Sequence, residues 1–310
     1  MRDQLAVKRF GPAEWMLSAV LSLTWGSSFL LIAVAIEYLD PAVVPFARAL
    51  TGGLALAFFP GARETVPKRH WARISLLGLV WMALPFWLFP LAEQTVTSSI
   101  AGMINGGLPV VMACVTALWV RRAPSLQRVA AIIVGIAGIV TITLPALRSE
   151  SSSGETIADA RGIGFLFVAV LCYALGANVA RPLQAQYSPA RLLMRVQFAA
   201  AAWSLPVAIP GITRSEFSLV SLLAVSVLGV VGTGVAFVAF GTLLERTGIA
   251  RAMIPTYFTP VVGLLLGAVF RNEHIAAISV IGMCVVIVSA WLTSKPDVRD
   301  VMLSESTPAR

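Results

Sequence analysis

Asn105 stands four residues before Pro109, and Thr256 four residues before Pro260, each pair inside an otherwise apolar run. A proline has no N–H, so the carbonyl four residues upstream loses its helical donor. In both runs the freed carbonyl belongs to a residue with a hydrogen-bonding side chain. The first run, MINGGLPVVM at 103–112, adds two glycines. Relative to Ala, a helix interior disfavours Gly by about 1 kcal/mol and Pro by about 3 kcal/mol. Breaks of this kind persist in hydrophobic helices where they face protein or a watery cavity. Two readings stand. Asn105, Pro109, Thr256 and Pro260 line a path and offer hydrogen bonds to a solute, or they form packing kinks. In the second reading Gly102, Gly106, Gly263 and Gly267 make close helix contacts.

Other runs put aromatic faces beside polar groups. Trp25 precedes Ser28 by three residues, and Tyr173 precedes Asn178 by five. Each pair is a cavity wall with stacking and hydrogen-bonding groups, or ordinary core. Tyr257, next to Thr256, is a further aromatic candidate. The run WMALPFWLFP at 81–90 carries Trp81, Pro85, Trp87 and Pro90. The prolines imply bending; the tryptophans guard a path or face lipid. Gly232-Thr233-Gly234 permits tight packing or a hinge. Arg48 is the one cation deep in an apolar run, and ionisable residues there are functional candidates. It attracts a solute carboxylate, or it has a structural task, snorkelling to the interface or bonding freed carbonyls near Pro41 and Pro45.

Catalytic and metal chemistry find little footing. Cys114, Cys172 and Cys284 lie in apolar runs without a CxxC pattern and read as small buried thiols. His70 and His274 sit at segment edges. No nucleophile and base set, phosphate loop or ligand cluster stands out, so neither an enzyme nor a cofactor is expected. An embedded scaffold is a weaker alternative. Glu14, Glu37, Asp40, Glu93, Glu245 and Glu273 all fall at segment edges. A proton/cation antiporter usually places an acid deep in the membrane. Its absence favours facilitated diffusion of neutral or zwitterionic solutes.

These residues need a membrane scaffold. The chain has 310 residues, 58% hydrophobic and 12% charged, with mean hydropathy +0.85. Soluble domains average about 45–50% apolar and about 25% charged. A spanning helix needs about 20 mostly apolar residues. Ten such runs are predicted, at 13–36, 41–60, 71–92, 98–119, 127–145, 162–186, 189–210, 217–242, 249–269 and 274–294. The first exceeds a signal-peptide core of about 7–15 residues and reads as a retained helix. The net charge of +8 could suggest nucleic acid. The 23 Lys and Arg residues argue otherwise. With a cytoplasmic N-terminus, only Arg148, Arg161, Arg214 and Arg271 fall in outside loops. That bias predicts both termini cytoplasmic. The basic charge is then a topology signal, with the bilayer rather than nucleic acid as partner.

The halves echo each other. Met103-Ile104 and Pro109-Val110-Val111 resemble Met253-Ile254 and Pro260-Val261-Val262. Trp25 lies sixteen residues before Pro41, and Tyr173 sixteen before Pro189. The predicted organisation is a five-helix repeat at 13–145, a periplasmic connector at 146–161, a second repeat at 162–294 and a cytoplasmic tail at 295–310. An odd number of helices per repeat inverts the second copy, the plan of many secondary transporters.

WGSSF at 25–29 with the following LDP, RAMIPTYFTPVVGLLLGAVFRNEHI at 251–275 and IG at 281–282 resemble the drug/metabolite transporter superfamily, in particular its ten-helix EamA-type exporters. The resemblance covers residues 13–294. It implies a multi-pass protein of the bacterial inner membrane that exports amino acids or related metabolites by alternating access; a monomer is expected. Drugs, nucleosides and sugars are the rival solutes. It also implies a pore formed by helices 1, 3, 4, 6, 8 and 9, with Trp25, Ser28, Asn105, Pro109, Tyr173, Asn178, Tyr257 and Pro260 at matching positions. Where the family commonly has Gly-Glu after helix 9, this chain has Asn272-Glu273. At the matching place in the first half it has Arg122.

Overall fold

The computed structural model describes residues 11–121, 125–148 and 159–293, and every regular element among them is helical. We label the apolar segments α1 (Pro12–Ala35), α2 (Val43–Ala57), α3 (Lys68–Glu93), α4 (Ser98–Val120) and α5 (Leu126–Arg148). The later ones are α6 (Ala160–Gln184), α7 (Pro189–Ile212), α8 (Leu219–Thr247), α9 (Ile254–Arg271) and α10 (Ala277–Thr293). Eight are long and apolar enough to cross a membrane, whereas α2 and α10 have 15 and 17 residues. The expected tail at 295–310, most of the connector, and Arg122 lie outside the described residues.

Local chemistry sets the ends. Glu14 reaches back to the N–H of Gly11 at 3.0 Å, opening α1. Asp159 accepts from the N–H of Arg161 at 3.3 Å at the start of α6, and Ser218 from Val220 at 3.2 Å at the start of α8. The last two cases are side-chain caps on donors that a helix start leaves open. At the other ends, Arg121 (φ 53°) closes α4 and Asn272 (φ 51°) closes α9 in the left-handed conformation.

Large apolar side chains stay on the outside, among them Phe58, Leu118, Ile133, Val168, Trp203, Leu219 and Val269. A water-soluble surface rarely carries so continuous an apolar area. A helix satisfies its own backbone, so this surface suits lipid. Cys284 is on the exposed face of α10 and Cys114 is half-buried, so only Cys172 is the buried thiol expected of all three.

The packing repeats itself. The α1 helix packs on α9, and α6 on α4; α3 packs on α6, and α1 on α8; α2 packs on the middle of α8, and α7 on the middle of α3. The pairs α2–α7, α4–α9 and α5–α10 close the arrangement. Among the described residues each half also has one π-helical stretch, Gly78–Ala83 in α3 and Val230–Val235 in α8. Gly78 lets α7 approach there, since a Cβ would stand 2.6 Å from that of Ala199 and 2.9 Å from the backbone nitrogen of Ala200.

At the centre α4 and α9 cross glycine on glycine. A Cβ on Gly102 would lie 3.5 Å from the Cα of Gly263, and the ring of Phe29 covers both positions. The breaks expected in these helices are present but placed unequally. In α4 the helix stops at Asn105 and restarts at Leu108. In the second half it stops at Ala252 and restarts at Ile254, with Pro255 in the first turn. Pro260 therefore sits inside a continuous helix rather than at the break. Its ring fills the space beside Gly106, where a Cβ would be 2.8 Å from Pro260 Cγ.

Candidate functional site

The π stretches, the α4 break and the start of α9 surround one cavity of about 420 Å³. Trp25, Ser28, Phe29 and Ile32 enter it from α1, Trp81, Phe86 and Phe89 from α3, and Asn105, Pro109 and Met112 from α4. Tyr173 and Arg181 come from α6, Gly232, Phe237 and Phe240 from α8, and Thr256 and Thr259 from α9. These are the six helices expected to line a pore, with Arg48 of α2 added.

The cavity has one closed end. Towards the Arg181 end it reaches Arg181 and Gln184, both exposed. Towards the Glu273 end it stops at Ile32 and Phe89, beyond which Ala35, Leu39, Ala92, Val96 and Ile100 form solid core. At that closed end Glu273, just past α9, grips the first turn of α4. It accepts from the N–H and hydroxyl of Ser98 at 3.0 and 2.7 Å and from the N–H of Ser99 at 2.9 Å. The left-handed turn at Asn272 swings the carboxylate back to that position.

An aromatic wall runs along the cavity. Trp25 lies 5.4 Å from Phe240 and 6.2 Å from Phe237, centroid to centroid, and Phe237 lies 6.2 Å from Trp81. On the other side, Phe89 bridges Phe29 at 5.6 Å and Tyr173 at 6.0 Å. Gly176 seats Trp81, because a Cβ there would be 2.5 Å from the Cβ of Trp81.

Polar groups interrupt this wall, Arg48 and Asn105 among them. Arg48 is 7% exposed. Its guanidinium carbon stands 3.9 Å from the centroid of Phe86, and its Nε donates to Thr233 Oγ1 at 3.0 Å. No carboxylate among the described residues forms an ion pair with it. The Oδ1 of Asn105 is shut from solvent without a hydrogen-bond partner. The site thus offers a cation and a broad aromatic surface, with a buried, unpartnered amide oxygen at the α4 break, a set suited to holding a small amphiphile.

Of the residues singled out from the sequence, Trp25, Ser28, Arg48, Asn105, Pro109, Tyr173 and Thr256 line the cavity. Trp87, Asn178, Tyr257 and Pro260 lie away from it. Asn178 instead ties α6 to α4, accepting from Thr116 Oγ1 at 3.3 Å while its amide donates to the Ala174 carbonyl at 2.9 Å. Tyr257 is buried, and Trp81 holds the wall position in place of Trp87. Phe86, Phe89, Phe237 and Phe240 carry no signal of their own in the sequence, since phenylalanine in an apolar run is compositionally ordinary. Only the flanking Gly232-Thr233-Gly234 hinted at the last two. No group of His, Cys, Asp and Glu among the described residues could hold a metal.

The family model described as the EamA-like transporter family matches residues 13–144 and 160–295. A transporter from Archaeoglobus fulgidus is 20% identical, covering 90% of this chain and 98% of its own. The Escherichia coli K12 protein described as inner membrane transporter YedA is 26% identical, with 88% of each chain covered. A protein of Streptantibioticus cattleyicolor described as a probable terminal-alkyne amino-acid exporter is 21% identical, over 93% of this chain and 95% of its own. One solved crystal structure has the same fold, with a TM-score of 0.61 at 17% identity, over 96% of this chain and 99% of that one.

Proposed function

Since the chain belongs to the EamA-like transporter family and is a multi-pass membrane transporter, we propose that it exports amino acids or closely related metabolites across the bacterial inner membrane. Ten helices cross the bilayer as two inverted five-helix repeats, at 13–145 and 162–294, with both termini cytoplasmic. The Arg181 end then faces the cytoplasm and the Glu273 end the periplasm. Rocking of one repeat against the other passes the solute by facilitated diffusion. The protein acts as a monomer, without cofactor, and is not an enzyme.

The observation that carries this reading is that Arg48, without an ion-pair partner among the described residues, and the unpartnered Asn105 line the same aromatic cavity. A guanidinium recognises a carboxylate through directed, charge-assisted hydrogen bonds. An amide oxygen accepts from an ammonium. Together they match the two ends of an amino-acid zwitterion, and Trp25, Trp81 and Phe237 suit an apolar or aromatic side chain. The relative described as an amino-acid exporter supports the same class.

The test is uptake by the pure protein in proteoliposomes, with radiolabelled neutral, aromatic, basic and acidic amino acids, with and without a pH gradient. Saturable passage of neutral or aromatic amino acids without a gradient is expected. No passage of any amino acid under any gradient would transfer the site to drugs, nucleosides or sugars.

A further inference from the structure

Two carboxyl groups at the closed end have opposite surroundings. The Glu273 carboxyl accepts from three donors on the first turn of α4, where the helix dipole favours negative charge. Glu93, the last residue of α3, has none. Both of its oxygens are closed off from solvent without a hydrogen-bond partner, at the helix end whose dipole disfavours an anion.

The charged groups whose fields reach Glu93 are Glu273, Arg271 and Arg48. Neither arginine pairs with it. Arg271 is engaged by Glu37 at 2.6 Å and lies 4.0 Å from Glu273, and Arg48 donates to Thr233. A carboxylate ion without donor, cation or water is strongly disfavoured in a protein interior, whereas the neutral acid is not. A second negative charge beside Glu273 adds repulsion.

We propose that Glu93 is a proton-binding site, and that closing the Glu273 end of the transporter places one proton on it. Opening that end admits water, and the proton leaves to the same compartment as Glu93 ionises. No proton crosses the membrane in the cycle, so passage stays uncoupled. Acidity on that side holds the gate shut. The sign follows from linkage: the state that binds more protons gains population as pH falls. A regulated gate of this kind does not depend on which solute is carried.

The test is a spin-label distance across the gate in nanodiscs, with no solute added. Labels are placed at exposed Gln94 and His274 in a full-length chain whose three cysteines are replaced by alanine. Between about pH 5 and about pH 9 the short-distance population should fall by at least half. Glu93→Gln, a permanent neutral mimic, should keep the short distance throughout, and Glu93→Asp should restore the pH response. A distribution that ignores pH in the parent would overturn the proposal. So would a Glu93→Gln protein that titrates like its parent, and if that variant fails to fold, the parent and Glu93→Asp carry the test.

Discussion

The Nε of Arg48 donates to the hydroxyl of Thr233 at 3.0 Å, joining α2 to the π turn of α8, and that hydroxyl in turn donates to the Leu228 carbonyl at 3.1 Å. This relay occupies one edge of the guanidinium and fixes its plane over Phe86. The remaining edge is the natural place for a solute carboxylate. Charge-assisted hydrogen bonds contribute about 1.5–3 kcal/mol, or roughly 10- to 150-fold in binding. Arg48→Leu should therefore lower amino-acid uptake in proteoliposomes at least about tenfold. Arg48→Lys should recover part of it, keeping the charge but not the planar fork. Uptake unchanged in Arg48→Leu would leave Arg48 a purely structural cation.

Two glycines separate packing from propensity. Gly78→Ala should drive its Cβ into Ala199 and the Ala200 backbone, an overpacking cost of about 1–3 kcal/mol. Gly164, in α6, has open space around it. Gly164→Ala should be neutral or stabilise by up to about 1 kcal/mol through helix propensity. Thermal unfolding in one detergent compares them. Equal melting points would mean that the π stretch of α3 yields without resistance.

Cavity placement can be read by thiol chemistry. In a background without the native cysteines, Asn105→Cys and Thr256→Cys should react with a polar thiol reagent, and an excess of transported solute should slow the reaction. Asn178→Cys, away from the cavity and 3% exposed, should stay inert. Reaction at 178 but not at 105 would place the path elsewhere.

Orientation is open to a similar probe. Thr213→Cys, on the exposed turn after α7, should be labelled from outside intact cells. Thr65→Cys, on the exposed α2–α3 connection, should be labelled only after permeabilisation. The reverse pattern would invert the proposed topology.

Asp40 gives a pH signature outside the spans. The hydrogen bond from Arg214 Nε at 2.7 Å holds its carboxyl below the ordinary aspartate range. A carboxyl depressed in the folded state contributes stability above its unfolded value, about 4, and loses it as pH falls through the folded value. Melting points should therefore decline below about pH 4 more steeply in the parent than in Asp40→Asn. Parallel acid limbs would show that the exposed Arg214 adds nothing measurable.

The composition and charge bias determined the class of this protein, because lipid restricts the chain to apolar helices and leaves cations in the connections. The spacing of Pro109, Asn105 and Trp25 likewise pointed to the cavity, since a missing N–H and an unmatched amide are properties of the residues themselves. Tertiary structure alone decided what the spacing left open. Pro109 and Pro260 look alike in sequence, yet Pro260 is absorbed inside α9 because Gly106 of α4 leaves room for its ring. Trp81 and Trp87 are six residues apart in one run, and only Trp81 reaches the wall, where Gly176 of another helix admits its indole. Glu93 and Glu273 both read as edge acids. Their contrast arises because the α4 N-terminus offers its donors to one and leaves the other dry. In each case the outcome depends on a partner more than 80 residues away, which no local pattern encodes.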